Sequence, residues 1–497
     1  MKKIIVVGAG IAGLSAAIYA KRSGFDVTLI EQHSIAGGMC TSWRRKGYLF
    51  EGAVHWLTGS SSKTELYQLW KDTGALNDNV KIFLPDIFAA VEYIDPKEAS
   101  QNVQIINMYR DIKKTAEHLS KISPDDKQRL QCLVNDVKAF SCMQMPVYDI
   151  KGVKTENPKR FTFSTFIKML PAFSKIGRLN KISCKDYIEQ FKHPGIQRLF
   201  KIVPDDFSAV SLIATLATLD IGDGGYPEGG SLAIADRMVK TFKELGGELL
   251  LNTKVKKINI ENGSASGVIL EKGTLDADAV IVTQETIAAV DQLFDIPLEE
   301  KWLTELCRKT KPEACVFIGI GIRTRIPQSP IPAWKLEEPV NYAGNKITEI
   351  FFNNYAEYEG YAPEGCTTLT TALIGDTYDF WKKAKEEGRY EKEKQTLADQ
   401  INRVICKKYP QAEGNIEVID IATPLTYERY TGAYHGSWMS ISGPGDKMKS
   451  YPGFIKNIKR LYFAGHRIMP PGGLPVAVFS GRQAAQMVCR QFNYIFR

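Results

Sequence analysis

At 497 residues the chain is longer than one hydrophobic core normally organises, so two or three domains are expected, and 44% hydrophobic with 24% charged residues excludes a disordered polymer. Nine cysteines, an odd number with no C-x-x-C pair, exclude a disulfide scaffold and a structural zinc ribbon and fit a reducing compartment. A formal charge of +8 leaves nucleic acid, an anionic membrane surface, an acidic substrate or plain solubility open.

The N-terminus, Met1-Lys2-Lys3 followed by an apolar run to Ala20, has the outline of a secretory signal, but Gly8, Gly10 and Gly13 interrupt it. Residues 4–7 read instead as a buried parallel strand and residues 14–23 as a helix. Between them stands Gly8-Ala9-Gly10-Ile11-Ala12-Gly13, a G-x-G-x-x-G fingerprint. Gly8 permits the tight turn, Gly10 lets the backbone approach a pyrophosphate, Gly13 allows close packing, and the helix N-terminus faces the phosphates. A second strand over 26–30 ends at Glu31, 18 residues beyond Gly13, where an acid takes ribose hydroxyls. No other stretch reaches the 18 apolar residues of a membrane span.

Ile35-Ala36-Gly37-Gly38-Met39-Cys40 follows, then Gly47-Tyr48 through Glu51-Gly52-Ala53-Val54-His55. A glycine pair so close to the acid suits FAD, whose ribose and pyrophosphate pass over the chain there. Cys40 is expected to be a small packing residue, since no partnered base marks it as a nucleophile. Ser123-Pro124-Asp125-Asp126 is a helix start.

The charge is local. Residues 151–201 hold twelve Lys and Arg against Glu156, Asp186 and Glu189, a net +9 that leaves the rest at −1. No nucleic-acid-binding module accompanies the block, so no nucleic-acid partner is expected. Its cations, Arg160 among them, interleave with Phe161, Phe163 and further apolar residues. Phe166, Met169, Leu170, Phe173 and Ile176 share one helical face, with Lys168 and Lys175 opposite. That pattern suits an amphipathic element on an anionic leaflet, or a lid whose lysines are solvated. Pro171 is expected to break or kink it, and Gly177 to disfavour its continuation. Neutralising Lys168, Lys175 and Arg178 together is expected to weaken binding to anionic vesicles.

Tyr226-Pro227-Glu228-Gly229-Gly230-Ser231-Leu232 opens a helix expected to reach Leu245, before Gly246-Gly247, Asn252 to Ile258 and an alternating hairpin at 267–281. Residues 315–322, 347–353 and 366–374 alternate as strands. Gly319-x-Gly321 lacks a third glycine, so no second dinucleotide site is expected there. Thr423-Pro424-Leu425-Thr426-Tyr427-Glu428-Arg429-Tyr430 with Gly436-Ser437, and Leu461 to His466 running through Gly472-Gly473-Leu474-Pro475 to Ala485, complete the motifs.

Together these segments resemble the phytoene desaturase, carotenoid isomerase and retinol saturase family, within the amine-oxidase-like FAD superfamily. Met39, Glu51 and His466 depart from the family pattern, which favours Arg or Lys, Asp, and Asp at those positions. The expected fold is α/β: a Rossmann-like FAD-binding domain, discontinuous over 1–70, 215–295 and 445–497. An α+β substrate domain takes 71–150 and 296–444, and 151–214 is a helical lid or membrane-contact segment. The resemblance and the fingerprint assign FAD to Gly8, Gly10, Ile11, Ala12, Gly13, Glu31, Gln32, Gly37, Gly38, Met39, Val255 (through its backbone), Gly465, His466, Gly473, Leu474 and Pro475. A positive helix end at 473–475 would stabilise charge on the reduced flavin.

The activity implied is hydride transfer with flavin N5 that makes, removes or isomerises carbon–carbon double bonds of a long apolar substrate. His55, Tyr226, Arg429 and His466 are the candidate catalytic residues. Glu228, Tyr427, His435 and Arg467 lie beside the same motifs. No metal site is expected, and the external electron donor or acceptor is left open. The expected location is cytoplasmic, with peripheral contact at the inner face of the membrane. An amine or porphyrinogen oxidase, and a non-catalytic flavin-bound lipid-binding protein, are the competing readings.

Overall fold

Lys3–Val7 is the central strand of a five-stranded parallel sheet, flanked by Asp26–Ile30 and Ala279–Val282, with Glu248–Leu250 and Leu461–Phe463 at the edges. The computed structural model describes residues 1–95, 103–143, 145–159, 162–327, 333–446 and 449–497. Ile4 and Val6 pack into one core with the helix Ile11–Arg22, while Ile5 and Val7 pack into another with Val255, Ile258 and Val268. Both faces are covered, and the strand therefore reads as continuously apolar. The helix begins at Ile11 rather than at residue 14, because the closing x-x-G of the fingerprint is itself its first turn. The C-terminal helix Leu474–Phe492 lies against it so closely that a Cβ on Gly481 would sit 2.3 Å from Ala12 O.

A second, antiparallel sheet runs in the order Asn353–Asn354, Thr367–Ile374, Cys315–Ile322, Ile416–Ala422. Val316, Ile318, Ile320 and Ile322 face a core built with Trp381, Ile401 and Ile405. The alternate positions face the N-terminal hairpin Ser42–Arg45/Tyr48–Glu51. A Cβ on Gly319 would lie 2.3 Å from the Phe50 ring, and one on Gly321 2.4 Å from the Tyr48 ring. The Gly319-x-Gly321 pair is thus room for two aromatic rings, and the hairpin it seats delivers Glu51 to the site.

A helical layer of Ile112–Ile122, Lys127–Phe140, Phe163–Leu179 and Ala209–Asp220 encloses a further core around Leu130, Leu133, Leu212 and Leu216. Two expectations for the basic segment change here. Phe163–Leu179 is one helix with Pro171 inside it, neither broken there nor stopped at Gly177. An interior proline costs about 3 kcal/mol, which packing of Met169, Ala172 and Leu179 on the core offsets. The apolar residues also divide: Met169 and Ile176 turn inward, while Phe163, Phe166, Ile167, Leu170 and Phe173 are exposed, Phe163 by 76%. The cations Lys175 and Arg178 are not free. Both pair with buried Asp136, at 3.4 and 2.5 Å. Arg160, Phe161 and the Lys168 side chain lie outside the described residues.

Candidate functional site

The fingerprint turn is built for a close approach. Gly8 has φ +100°, Gly37 +123° and Gly38 +59°, and Gly37 N–H donates to Ala9 O at 2.8 Å. At Gly10 the nearest atom to an added Cβ would be 3.9 Å away, so that flank of the helix N-terminus is open. First-turn N–H groups have no intrahelical partner, so Ile11, Ala12 and Gly13 offer a ready anion site. Glu31 lies buried at the end of its strand, accepting from Ala9 N–H at 2.8 Å and His33 N–H at 2.9 Å. Burial raises its proton affinity and those two amides lower it. Each carboxylate oxygen keeps a lone pair for a ribose hydroxyl. Gln32 is exposed beside Gly432, Met39 is half-buried against the hairpin aromatics, and Val255 opens the strand Val255–Glu261.

At the other end of the site, Gly473 (φ +89°) precedes the helix Leu474–Phe492, and no side chain among the described residues caps it. Pro475 has no N–H, which leaves the amides of Leu474 and Val476 as the donors facing outward from the helix end. A Cβ on Gly465 (φ +143°) would meet nothing within 4 Å, and its N–H donates to Ser480 Oγ at 3.0 Å. His466 sits against Gly472 with Nδ1 buried and, among the described residues, without a hydrogen-bond partner. Burial, reinforced by Arg467, keeps its ring neutral. Open glycines, two uncapped helix ends and an orphaned imidazole nitrogen fit a dinucleotide laid between them.

Glu51 is the hub of the remaining group. Its carboxylate accepts from Tyr226 OH at 2.9 Å, Ser231 N–H at 2.9 Å, Ser231 Oγ, and the amides of Ala53 and Val54 at 3.0 and 3.2 Å. Burial pushes its proton affinity up and these hydrogen bonds pull it down. A Cβ on Gly230 would stand 2.0 Å from Glu51 Oε2, which is the physical reason for the P-x-G-G glycine. Tyr226 also meets the hydroxyl of Tyr361, whose ring stacks on Tyr355 at 4.7 Å. The loop held by Glu51 presents His55, whose Nδ1 lies 3.3 Å from Asn353 Nδ2.

Burial pushes the His55 imidazole down to about 4. An unfolded chain takes up that proton near 6.5, so stability is fully present above this value and falls as pH drops from about 6.5 toward 4. His55→Gln is expected to remove this part of the slope, measured as denaturant unfolding free energy across that range.

Arg429 is not brought into this group. It is exposed, donates to Tyr430 OH at 2.6 Å and stacks on that ring, which in turn meets His33. Glu228 is exposed as well. Tyr427 OH points to Gly52 O at 3.5 Å, and the His435 ring is sandwiched between Tyr378 and Tyr434. Arg467 is wholly buried, its Nε bonded to Glu285 Oε1 at 2.8 Å and its Nη atoms to Met439 O, Ser440 and Ser437. Asn353 and Glu285 carry no motif that sequence reasoning used, and Ser231 lies in a quoted motif without having been singled out, whereas Tyr355, Tyr358 and Tyr361 stand three residues apart and could have been noticed.

The flavin-containing amine oxidoreductase profile matches residues 11–489. The chain belongs to that family. It is an FAD-dependent oxidoreductase, and FAD is its cofactor. It is similar to the 1-hydroxycarotenoid 3,4-desaturase of Flavobacterium sp. (strain P99-3), at 26% identity over 98% of this chain and 99% of the relative. It is also similar to the chloroplastic prolycopene isomerase of Daucus carota (24%; 97% and 79%) and to the all-trans-retinol 13,14-reductase of Danio rerio (22%; 98% and 84%). These relatives carry the phytoene desaturase, isomerase and retinol saturase resemblance across the whole chain. Its fold is that of putrescine oxidase, with a TM-score of 0.59 at 17% identity and 98% coverage of both chains. Among the described residues no helix is long and apolar enough to cross a membrane.

Proposed function

We propose that this flavoenzyme makes, removes or shifts a carbon–carbon double bond in a polyene of the carotenoid or retinoid class. The observation that carries the reading is the full-length similarity to polyene enzymes, set against a likeness to amine oxidases that extends only to fold. Bound FAD would supply hydride acceptance and donation. The chain's part is to hold it: Gly8 to Gly13 and Glu31 at the adenosine and pyrophosphate end, Gly465 to Pro475 at the ring end. The Leu474 helix end favours negative charge there. His55 and His466 are uncharged and Glu51 is enclosed by donors, so these candidate residues offer an apolar molecule little uncompensated charge.

A small cavity of about 50 Å³ has a mixed lining, with Leu66, Phe140, Met143 and Met145 beside Thr64, Ser141 and Thr218. Its one acid, Asp223, is occupied by Gly59 N–H, Ser60 Oγ and Ser61 N–H. Anaerobic titration with product analysis tests the whole reading: retinoids or carotenoids should reoxidise the reduced enzyme, bleach the oxidised enzyme, or be isomerised with no net change in the flavin. Bleaching by putrescine or cyclohexylamine, with polyenes inert, would favour the amine oxidase reading instead.

The same reading sets the helix Phe163–Leu179 on a membrane surface from which the substrate is drawn. Its five exposed apolar residues support this, and the helices Lys127–Phe140 and Ala209–Asp220 behind it also line the pocket. With Lys175 and Arg178 held by Asp136, insertion of the phenylalanines should outweigh attraction to anionic lipid. Phe166→Ser with Phe173→Ser is expected to weaken sedimentation with vesicles about tenfold or more, at roughly 1.5 kcal/mol or above per ring. Raising the salt should change binding little, on zwitterionic and anionic vesicles alike.

A further inference from the structure

The helix Pro424–Thr431 carries the motif that runs from Thr423 to Tyr430, and its last turn has no part in the group around Glu51. Two helices packed on the antiparallel sheet, Tyr378–Glu386 and Tyr390–Lys408, hold its body. Tyr378 OH donates to Glu428 Oε2 at 2.9 Å, and the Tyr390 hydroxyl meets Thr423 Oγ1 at 2.8 Å. From there the end of the helix crosses to the parallel sheet. A Cβ on Gly432 would lie 3.6 Å from Gln32 Nε2 and 3.7 Å from Gln284 Nε2, and the Tyr430 and His33 rings meet at 5.1 Å and 85°.

These contacts fall at one place on that sheet. Gln32 and His33 follow Glu31 at the C-terminal end of the strand Asp26–Ile30, and Thr283-Gln284 follows the strand Ala279–Val282. Gln284 N–H donates to Val7 O at 3.2 Å, and a Cβ on Gly8 would stand 3.2 Å from that nitrogen. Just before Val255, the amides of Asn252 and Thr253 donate to His33 O at 3.0 Å and Glu31 O at 2.9 Å. Dinucleotides bind in the crevice outside the carboxyl ends of such strands, with the ribose beside the acid. Residues 31–33, 252–255 and 283–284 are thus three walls of the adenosine end. Tyr430 to Gly432 form a fourth, which arrives from the antiparallel sheet.

We propose that the turn from Tyr430 to Gly432 closes the adenosine end of the FAD site and slows release of the cofactor. The proposal rests on the cofactor alone and holds whichever substrate the flavin serves. Gln32 and Gln284 each bring an amide that both donates and accepts, which suits ribose hydroxyls and the edge of adenine. Tyr430 is 42% exposed, so its ring lies at the rim of the crevice and not in a core. Arg429 keeps it there, with Nη2 donating to the Tyr430 hydroxyl at 2.6 Å and the guanidinium carbon 4.4 Å from the ring centre. Arg429 then acts through Tyr430 as a positioning residue, in place of the catalytic role its motif suggested. Gly432, at φ +65° after the helix, leaves the gap between the two glutamine amides free of a side chain.

The test uses the yellow holoenzyme and its Tyr430→Ala, Tyr430→Phe, Arg429→Gln and Gly432→Asn variants. FAD release on dilution is followed by flavin fluorescence. ADP, which carries the adenosine end without the flavin, is titrated calorimetrically into the full chain freed of FAD. Tyr430→Ala should release FAD about tenfold faster and bind ADP about tenfold more weakly, the loss of one aromatic contact. Arg429→Gln should move both in the same direction by less, and Tyr430→Phe, which keeps the ring, should stay near wild type. Asparagine tolerates the left-handed conformation, so Gly432→Asn keeps the helix end, places an amide in the gap and should also weaken ADP. Thermal unfolding of the FAD-free variants and the midpoint potential of the bound flavin should stay at wild-type values, since the core and the ring end are untouched. Wild-type FAD release and ADP affinity in Tyr430→Ala would make the turn a packing contact and overturn the proposal; if that variant does not fold, Gly432→Asn decides by the same comparison. Faster FAD release with ADP affinity unchanged would overturn it too, by placing the effect at the flavin end.

Discussion

Gly13→Ala is expected to give a colourless, destabilised protein, whereas Gly10→Ala gives a colourless protein of nearly unchanged stability. A Cβ at Gly13 would stand 1.8 Å from Gly8 O and 2.7 Å from Thr283 Oγ1. Neither can yield cheaply. Gly8 donates to Ile30 O at 2.8 Å, and its own oxygen accepts from Thr283 Oγ1 at 2.8 Å. The helix must back away from the strand, which costs about 1–3 kcal/mol as overpacking and carries the helix N-terminus off the pyrophosphate. At Gly10 the nearest protein atom is 3.9 Å away, so the fold tolerates the methyl and only the ligand meets it. Flavin absorbance per polypeptide and FAD titration of apoprotein should show at least roughly 100-fold weaker binding in both, the loss of about 2.7 kcal/mol. Thermal unfolding of the apoproteins separates them. Equal stability of both apoproteins would mean that Gly13 is not a packing position.

The legible parts of this molecule are those whose physics is local. Strand, turn, helix, strand and acid follow one another within 31 residues, and the structure places them so, with Glu31 at its strand end. The strand Cys315–Ile322 was legible for the same reason. What a sequence conceals is which distant backbone fills a gap. The P-x-G-G glycine is visible as a motif, but its cause is a carboxylate from residue 51 that lies 2.0 Å from where its Cβ would be. His55 stands out beside a motif, while Asn353, 298 residues away, is an ordinary strand residue until the two sheets are assembled. Pro171 misled for the converse reason. Its local penalty is real, but a buried face on the helical layer and two ion pairs to Asp136 outweigh it. Those same ion pairs remove two cations from a block whose charge, counted along the chain, looked wholly available.

Arg467→Met is expected to cost about 3–5 kcal/mol, because it leaves a buried carboxylate without its counter-charge. Arg467 is 1% exposed, and the Glu285 side chain 4%. The guanidinium spends its fork on Glu285 Oε1, Met439 O, Ser440 and Ser437, which belong to two separate stretches of chain. Glu285 is committed at the same time, accepting from Ala288 N–H at 3.0 Å as N-cap of the helix Thr286–Gln292. Removing the arginine therefore strands one charge and three further acceptors, and frees Met439 and Ser440 from the loop that carries His466. Lysine at this position should rescue little, since a point charge lacks the planar array of donors. Glu285→Leu introduced into Arg467→Met should recover part of the loss by removing the stranded charge, even though Glu285→Leu alone destabilises. Urea unfolding of the four holoproteins, followed by flavin fluorescence, measures that coupling. Additive losses would mean that the two side chains stabilise the protein separately, and the ion pair would then be only an incidental neighbour of the cofactor loop.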